Sequence, residues 1–272
     1  RDKSKIDYKT YINKNSCFIY MKVFEDKCYI IRRGDFATDG NKKILYSLFS
    51  FALCLDDYVN NNSLDCFSIM MGSTVLWTFM EIFLYVTKTR KIKSMYITHF
   101  NGKKTKIPKT FALLLQGSEE GGVITTIGLY FGDRLSHFKY FLLFHIFILY
   151  IVFNMTIKQT HNGKTQSKRQ INTNSSIFIM MAVTIYNLKT IIQYPLHYSR
   201  QCNMFFVMIY ISSIWSCIAY YKGFRKVEVH KKEGNNYSVK PFSHLDTLYI
   251  LGYDIFFEIG VAYLTFYNWF IL

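Results

Sequence analysis

Long apolar runs alternate with polar, basic segments along this chain. A helix needs about 20 apolar residues to cross a bilayer, and seven runs are close to that length. The run at 44–59 is the shortest and ends in two aspartates. The pattern predicts an all-α polytopic integral membrane protein with about seven transmembrane helices. The predicted spans are 44–59, 67–87, 110–134, 139–157, 176–195, 204–221 and 246–272.

Lysine and arginine are concentrated in alternate segments between these runs. Segments 1–43, 88–109, 158–175 and 222–245 hold 11, 8, 4 and 6 of the 33 basic residues. Because cytoplasmic loops carry the excess of Lys and Arg, the N-terminus is predicted to be cytoplasmic and the C-terminus to face the opposite side. We therefore divide the chain into a basic cytoplasmic N-terminal segment, 1–43, and a seven-span domain, 44–272.

The polar segments themselves show little regular structure in their sequence. Within 16–33, two short β-prone runs flank Glu25-Asp26-Lys27, which predicts a small hairpin, and a flexible tail is the alternative. The segment 158–175 is interpreted as a solvated loop.

The third predicted span, 110–134, carries the adjacent acids Glu119 and Glu120 at its midpoint. A charged side chain at the bilayer centre costs about 2.5 to 3.5 kcal/mol on insertion scales, which favours a functional role. Glycines beside them predict an interrupted helix, as in transporters that bind ions at mid-membrane, and close helix packing is the alternative reading. The predicted hinge glycines are Gly117, Gly121 and Gly122.

A second acidic pair, Asp254 and Glu258, lies in the last predicted span. Residues four apart share one face of a helix. Counted from the cytoplasmic ends of their spans, Glu119, Glu120, Asp254 and Glu258 lie at similar depth. Four carboxylates in low dielectric cannot all ionise without a cation, so either they share protons or a metal ion, Na⁺ or a basic side chain lies among them. These four residues are therefore the predicted ion- or proton-binding site.

Three further ionisable residues lie inside predicted spans: Glu81, His145 and Lys189. Residues of this kind often mark proton or ion pathways, so each is a candidate relay, and Lys189 is also a candidate counter-ion for one of the acids. The alternative for each is a structural residue that is hydrogen-bonded or that snorkels to the interface.

Composition excludes several other classes of protein. The net charge of +15 permits a nucleic-acid partner, but no recognised nucleic-acid motif accompanies it, so we expect none. The six cysteines show no zinc spacing and no phosphate-binding loop is present, so we expect neither a metal centre nor a cofactor. Cys54, Cys66 and Cys202 fall near one predicted membrane face, where a disulfide could form. The expected partners are the lipid bilayer, protons or cations, and further subunits. The basic segments are interpreted as topology signals, and binding of anionic headgroups is the alternative.

Two short motifs bear on a possible enzymatic activity. Glu119-Glu120 and Phe141-x-x-x-His145 are similar to the Glu-Glu-x-x-x-Arg and Phe-x-x-x-His boxes of intramembrane prenyl-protein proteases. Ile124 stands where the first box has Arg, so no family is assigned. The sequence favours a small transporter or channel that uses the acidic site. The alternatives are a membrane enzyme acting on a lipid or lipid-linked substrate, and a non-catalytic subunit of a membrane complex.

Overall fold

The computed structural model describes residues 26–33, 39–86, 94–159, 166–234, 236–240 and 243–272. Within these ranges the chain is mostly helical, and each predicted span falls largely on a helix, which confirms the helical part of the prediction. In chain order the helices are α1 Gly40–Asn61, α2 Asp65–Val86, α3 109–133, α4 Phe138–Gln159, α5 Asn174–Gln193, α6 Tyr198–Tyr221 and α7 His244–Phe270.

Four helices in the described part of the chain are long and apolar enough to cross a membrane. They support an integral membrane protein. The apolar part of α4, Lys139–Tyr150, is shorter than these four. The predicted count of seven crossings goes beyond the four helices. The four apolar segments are Asp65–Phe83, Asn174–Gln193, Pro195–Tyr221 and His244–Phe270.

Helices α3 and α7 each contain a π-helical turn, in which the backbone is wider than in an α-helix. In α3 the turn is Ser118–Val123, and α-helical parts Lys109–Gly117 and Ile124–Asp133 continue on either side. In α7 the turn is Asp254–Val261. Isolated π turns inside α-helices are frequent at functional sites. Both predicted acidic pairs lie within these two turns.

The basic segments contain six strands among the described residues, and the sequence pattern predicted only the first of them. Among the described residues these are β1 Lys27–Arg33, β2 Tyr96–Thr98, β3 Lys104–Lys106, β4 Gln166–Gln170, β5 Arg225–Glu233 and β6 Asn236–Val239. Four of them form an antiparallel sheet in the order β4-β1-β5-β6. Strands β2 and β3 form a separate hairpin.

The interpretation of 158–175 as only a solvated loop was wrong, because it contains β4. The sequence of β4, QSKRQ, has no apolar alternation, so its extended form comes from pairing with the edge of β1. The second β-prone run of 16–33 is β1, and its two edges are taken by β4 and β5. The first run of the predicted hairpin lies outside the described residues.

All four basic segments contribute to one end of the helices, here called the basic end. The sheet joins three of them, and a bridge between Asp39 and Tyr96 joins the β2–β3 hairpin to the start of α1. Residues Cys28, Ile30 and Val229 on one face of the sheet pack with Ile250 of α7. The sheet is therefore packed directly on the helical bundle.

Ion pairs hold the helices together at the opposite end. Arg200 of α6 donates two hydrogen bonds of 2.7 Å to Asp133 at the end of α3, and it also pairs with Asp65 at the start of α2. Arg134 donates to Asp57 of α1 at 2.9 Å. These contacts fix four helix ends to one another.

A single large apolar core fills the bundle between its two ends. Cys54 and Cys66 are buried in it as free thiols, and Cys202 is an exposed free thiol. The disulfide considered from the sequence is therefore not formed between these three residues.

Candidate functional site

The first acidic site is formed where α1 approaches the π turn of α3. Lys43, in the first turns of α1, pairs with the carboxylate of Glu119, and only 1% of Lys43 is exposed. One turn further along α1, the hydroxyls of Ser47 and Ser118 are 2.8 Å apart. A buried ammonium thus sits directly on one of the two predicted central carboxylates.

Glu120, the neighbouring acid, points to a different set of partners. Trp77 of α2 donates its indole N–H to the Glu120 carboxylate at 3.0 Å, and the side-chain amide of Gln116 donates to the other carboxylate oxygen. The Tyr263 hydroxyl of α7 donates to the backbone carbonyl of Glu120 at 2.5 Å. A π turn displaces carbonyls from their usual i+4 donors, so a hydroxyl from another helix can take that place.

The glycines around this site bring α3 into close contact with α2. A Cβ atom on Gly121 would lie 2.8 Å from Cβ of Trp77, and one on Gly122 would lie 2.8 Å from the backbone oxygen of Met70. Gly117 faces Thr78 in the same way. Where the sequence suggested an interruption, the helix continues as a π turn, and the three glycines provide the close packing that was the alternative reading.

The second acidic site joins the π turn of α7 to the sheet. Arg225 at the start of β5 donates to Asp254 at 2.6 Å, and Arg169 of β4 donates to the other Asp254 oxygen at 2.7 Å. Arg169 also pairs with Glu258. The Arg225 and Asp254 side chains are both 2% exposed, and the Ser216 hydroxyl of α6 accepts from Arg225 at 2.5 Å.

The four acids therefore belong to two separate sites, the first paired with one lysine and the second with two arginines. Helix α7 connects them, because Asp254 lies in the second site and Tyr263, nine residues later, contacts the first. From the sequence, the acids were expected either to share protons or to have a cation among them. In both sites a basic side chain pairs with at least one of the acids.

Comparisons were made with protein-family models, curated proteins and solved structures. None of the three finds a match. Within the described ranges no three His, Cys, Asp or Glu side chains are grouped as metal ligands would be. The argument for function therefore rests on the geometry of the two sites.

Three other ionisable residues were predicted from the sequence as relays or as a counter-ion. Glu81 is buried on α2. His145 of α4 lies between helices, with its Nδ1 2.8 Å from the Tyr210 hydroxyl of α6. Lys189 is exposed on α5, and no described ion pair joins it to any of the four acids. Their roles as relays or counter-ion stay predictions.

The cations of both sites were missed at the sequence level. Lys43 is the last residue before the first apolar run, and Arg169 and Arg225 lie in basic segments, so all three were counted only as topology signals. A usable signal existed for Lys43 alone. It immediately precedes an apolar run, where a long side chain can reach into the bundle.

Proposed function

We propose that this protein is a small multi-pass transporter or channel that moves protons or cations through its intramembrane acidic sites. In this proposal seven helices cross the membrane, with the basic end in the cytoplasm and the C-terminus on the other side. The meeting of all four basic segments at one end of the bundle supports that topology, because it agrees with the alternation of charge along the chain.

The observation that supports the proposal most directly is that each acidic pair lies on a π turn and that basic side chains from other elements contact it. Lys43 pairs with Glu119, and two arginines from the sheet pair with the acids of α7. Lys43 of α1 holds the place beside Glu119 that a transported cation would take. A proton that reached Glu119 would remove its charge and release Lys43. A π turn can also shift register within a helix, which provides two arrangements for the site.

Burying the charges of an ion pair also costs free energy. Taking two charges out of water costs several kcal/mol per ion, and apolar side chains of similar size are often equally stable or more so. Two such sites within one helical bundle therefore favour a function over a purely structural role. Arg169 offers the same possibility at the second site, since one guanidinium serves both Asp254 and Glu258.

The test is flux through purified protein in liposomes. A pH-sensitive dye inside the vesicles, with an imposed proton or cation gradient, reports movement of either species. The variant Glu119→Gln with Glu120→Gln should abolish flux while the protein still elutes as a folded species on size exclusion. Glu233→Gln, which removes an exposed acid of β5, is the matched control and should retain flux. Equal flux in both variants would rule out the acidic site.

A second candidate function, a subunit of a larger membrane assembly, is favoured by helix α5. Of its 20 residues only Asn187 and Thr190 are buried, while large apolar side chains such as Ile185 and Ile192 are exposed along it. An exposed apolar helix of this kind suits either lipid or another subunit. Native mass spectrometry of protein extracted in polymer nanodiscs tests this. A stoichiometric partner chain that is lost in the Ile185→Trp, Ile192→Trp variant would support it, and a single chain without partner would exclude it.

A further inference from the structure

The β2–β3 hairpin at the basic end has an ordered tip. The amide of Gly102 donates to the carbonyl of His99 at 2.9 Å, and the amide of His99 donates to the carbonyl of Lys103 at 2.9 Å. Gly102 has a φ of 77°, in the left-handed region. This is the three-residue hairpin loop in which a type I turn is followed by a left-handed glycine. Phe100 is therefore held at a defined position in the turn.

The hairpin is fixed to the first turn of α1. Tyr96 bridges to Asp39 in parallel, and the Asn41 side chain bonds both backbone groups of Thr98, accepting from its amide at 2.7 Å and donating to its carbonyl at 2.9 Å. Because the pairing is parallel, β2 advances in the same direction as the chain that enters α1. Thr98, two residues before Phe100, thereby lies beside the first turn of α1.

A small apolar core supports this position. Met95 and Ile107, on either side of the hairpin, are buried against Ala112 and Leu115 of α3. The amide of Ile107 also donates to the carbonyl of Met95 at 2.9 Å. The hairpin is thus attached to both α1 and α3, and its tip is presented at a fixed height beside them.

The tip combines one aromatic side chain with several positive charges. Phe100 is fully exposed although it is a large apolar residue, and Lys103, Lys104 and Lys106 beside it are also exposed. The stretch from 94 to 110 contains no Asp or Glu. An aromatic ring flanked by lysines is the composition that suits a membrane–water interface, where rings lie among headgroups and lysines meet lipid phosphates.

A second contact between a lysine and an aromatic side chain lies just after the hairpin, at the start of α3. Lys109, the first residue of α3, donates to the Tyr85 hydroxyl near the end of α2 at 3.1 Å. Tyrosine and lysine pairs at helix ends are typical of the headgroup region. The hairpin tip and this pair both lie where α1, α2 and α3 have their basic ends.

We propose that the β2–β3 hairpin is a membrane-surface anchor that recognises anionic phospholipid headgroups, with Phe100 inserted between lipids and Lys103, Lys104 and Lys106 bound to their phosphates. The charge of the tip selects the partner, because a positively charged surface with an exposed aromatic ring complements an anionic leaflet. The anchor acts independently of transport through the acidic sites.

A fluorescent amino acid sensitive to polarity, introduced at position 100 of the full chain, tests the anchor in proteoliposomes. The vesicles contain either phosphatidylcholine alone or a mixture with phosphatidylglycerol, with bromine atoms on the acyl chains as quenchers. Emission should be shifted to the blue and quenched in the anionic vesicles. Each lysine near an anionic surface strengthens association about fivefold, so Lys103→Gln, Lys104→Gln and Lys106→Gln together should lower the inserted-to-free ratio about 100-fold.

The same reporter at Asn236, an exposed residue at the start of β6, is the matched control and should give water-like emission in both vesicles. Water-like emission at position 100 in both vesicle types would overturn the anchor. Equal quenching with and without phosphatidylglycerol would overturn the recognition of anionic headgroups. Quenching at both positions 100 and 236 would overturn the assignment to the hairpin, because the whole basic end would then lie on the lipid.

Discussion

Replacing Lys43 or Glu119 alone should destabilise the protein far more than replacing both. Lys43 is 1% exposed and the Glu119 side chain is 21% exposed, so Glu119→Gln removes the carboxylate charge that pairs with a buried ammonium. Breaking a buried ion pair on one side costs about 3 to 5 kcal/mol, while removing both charges is often neutral or stabilising. Lys43→Met with Glu119→Gln should therefore recover most of the stability lost in either single variant.

Thermal unfolding of the purified protein measures this cycle. For a chain of this size, a loss of 3 to 5 kcal/mol corresponds to a fall in Tm of roughly 6 to 20 °C. Each single variant should show a fall in that range, and the double variant should unfold close to the unchanged protein. Flux through the double variant should nevertheless be lost, since its site has no titratable group left at Lys43 or Glu119.

The exposed pair Lys168 and Glu228 on the sheet provides the control. Its atoms are 2.7 Å apart, but both side chains are more than one-third exposed, and such surface pairs contribute about 0 to 1 kcal/mol. If Lys43→Met lowers Tm no more than Lys168→Met does, the reasoning from burial is refuted. If the double variant is stable and still conducts, the pair is structural and the transport role of Glu119 is refuted.

Three further experiments test how close packing and burial affect stability and thiol reactivity. Gly122→Ala should lower the free energy of unfolding by about 1 to 3 kcal/mol, because the added Cβ would meet the Met70 backbone. Gly252→Ala has open space around it and should leave stability unchanged in the same thermal unfolding experiment. Burial raises the pKa of the Cys28 thiol to about 11, so at pH 8 its reactive thiolate should be about 100-fold scarcer than that of an ordinary cysteine. Maleimide should therefore label the exposed Cys202 before Cys28. Comparable labelling rates at the two residues would contradict this. Asn187→Leu should cost about 1 to 3 kcal/mol, because the 2.7 Å hydrogen bond to a carbonyl of the α7 π turn is lost, and an unchanged Tm would contradict that contribution.

The helices could be predicted from the sequence because their signal is local. An apolar run such as 67–87 contains its own length and composition, and these two quantities decide whether it forms a membrane-length helix. The strand β4 could not be found in this way. Its residues Gln166–Gln170 are all polar, and they become extended because the edge of β1 offers backbone partners far away in the sequence.

The acids of the candidate site were also predictable, whereas their partners were not. A carboxylate inside an apolar run is conspicuous, so Glu119 and Asp254 could be selected from the sequence alone. Arg225 and Arg169 lie among many other basic residues, and nothing local separates the arginine that reaches an acid from one that faces solvent. Only the register of β4 and β5 against β1 brings both guanidinium groups to Asp254.

The two acidic sites share a construction, and α7 contributes residues to both. In each, a π turn presents acids, and a side chain from another helix bonds to a backbone carbonyl of the turn: Tyr263 to Glu120 in the first site and Asn187 to Val261 in the second. Because Tyr263 and Val261 both belong to α7, a change of register in its π turn would alter the contacts at both sites together. The guanidinium groups on the second turn come from the sheet, so movement of the sheet at the basic end would reach the first site through the same helix.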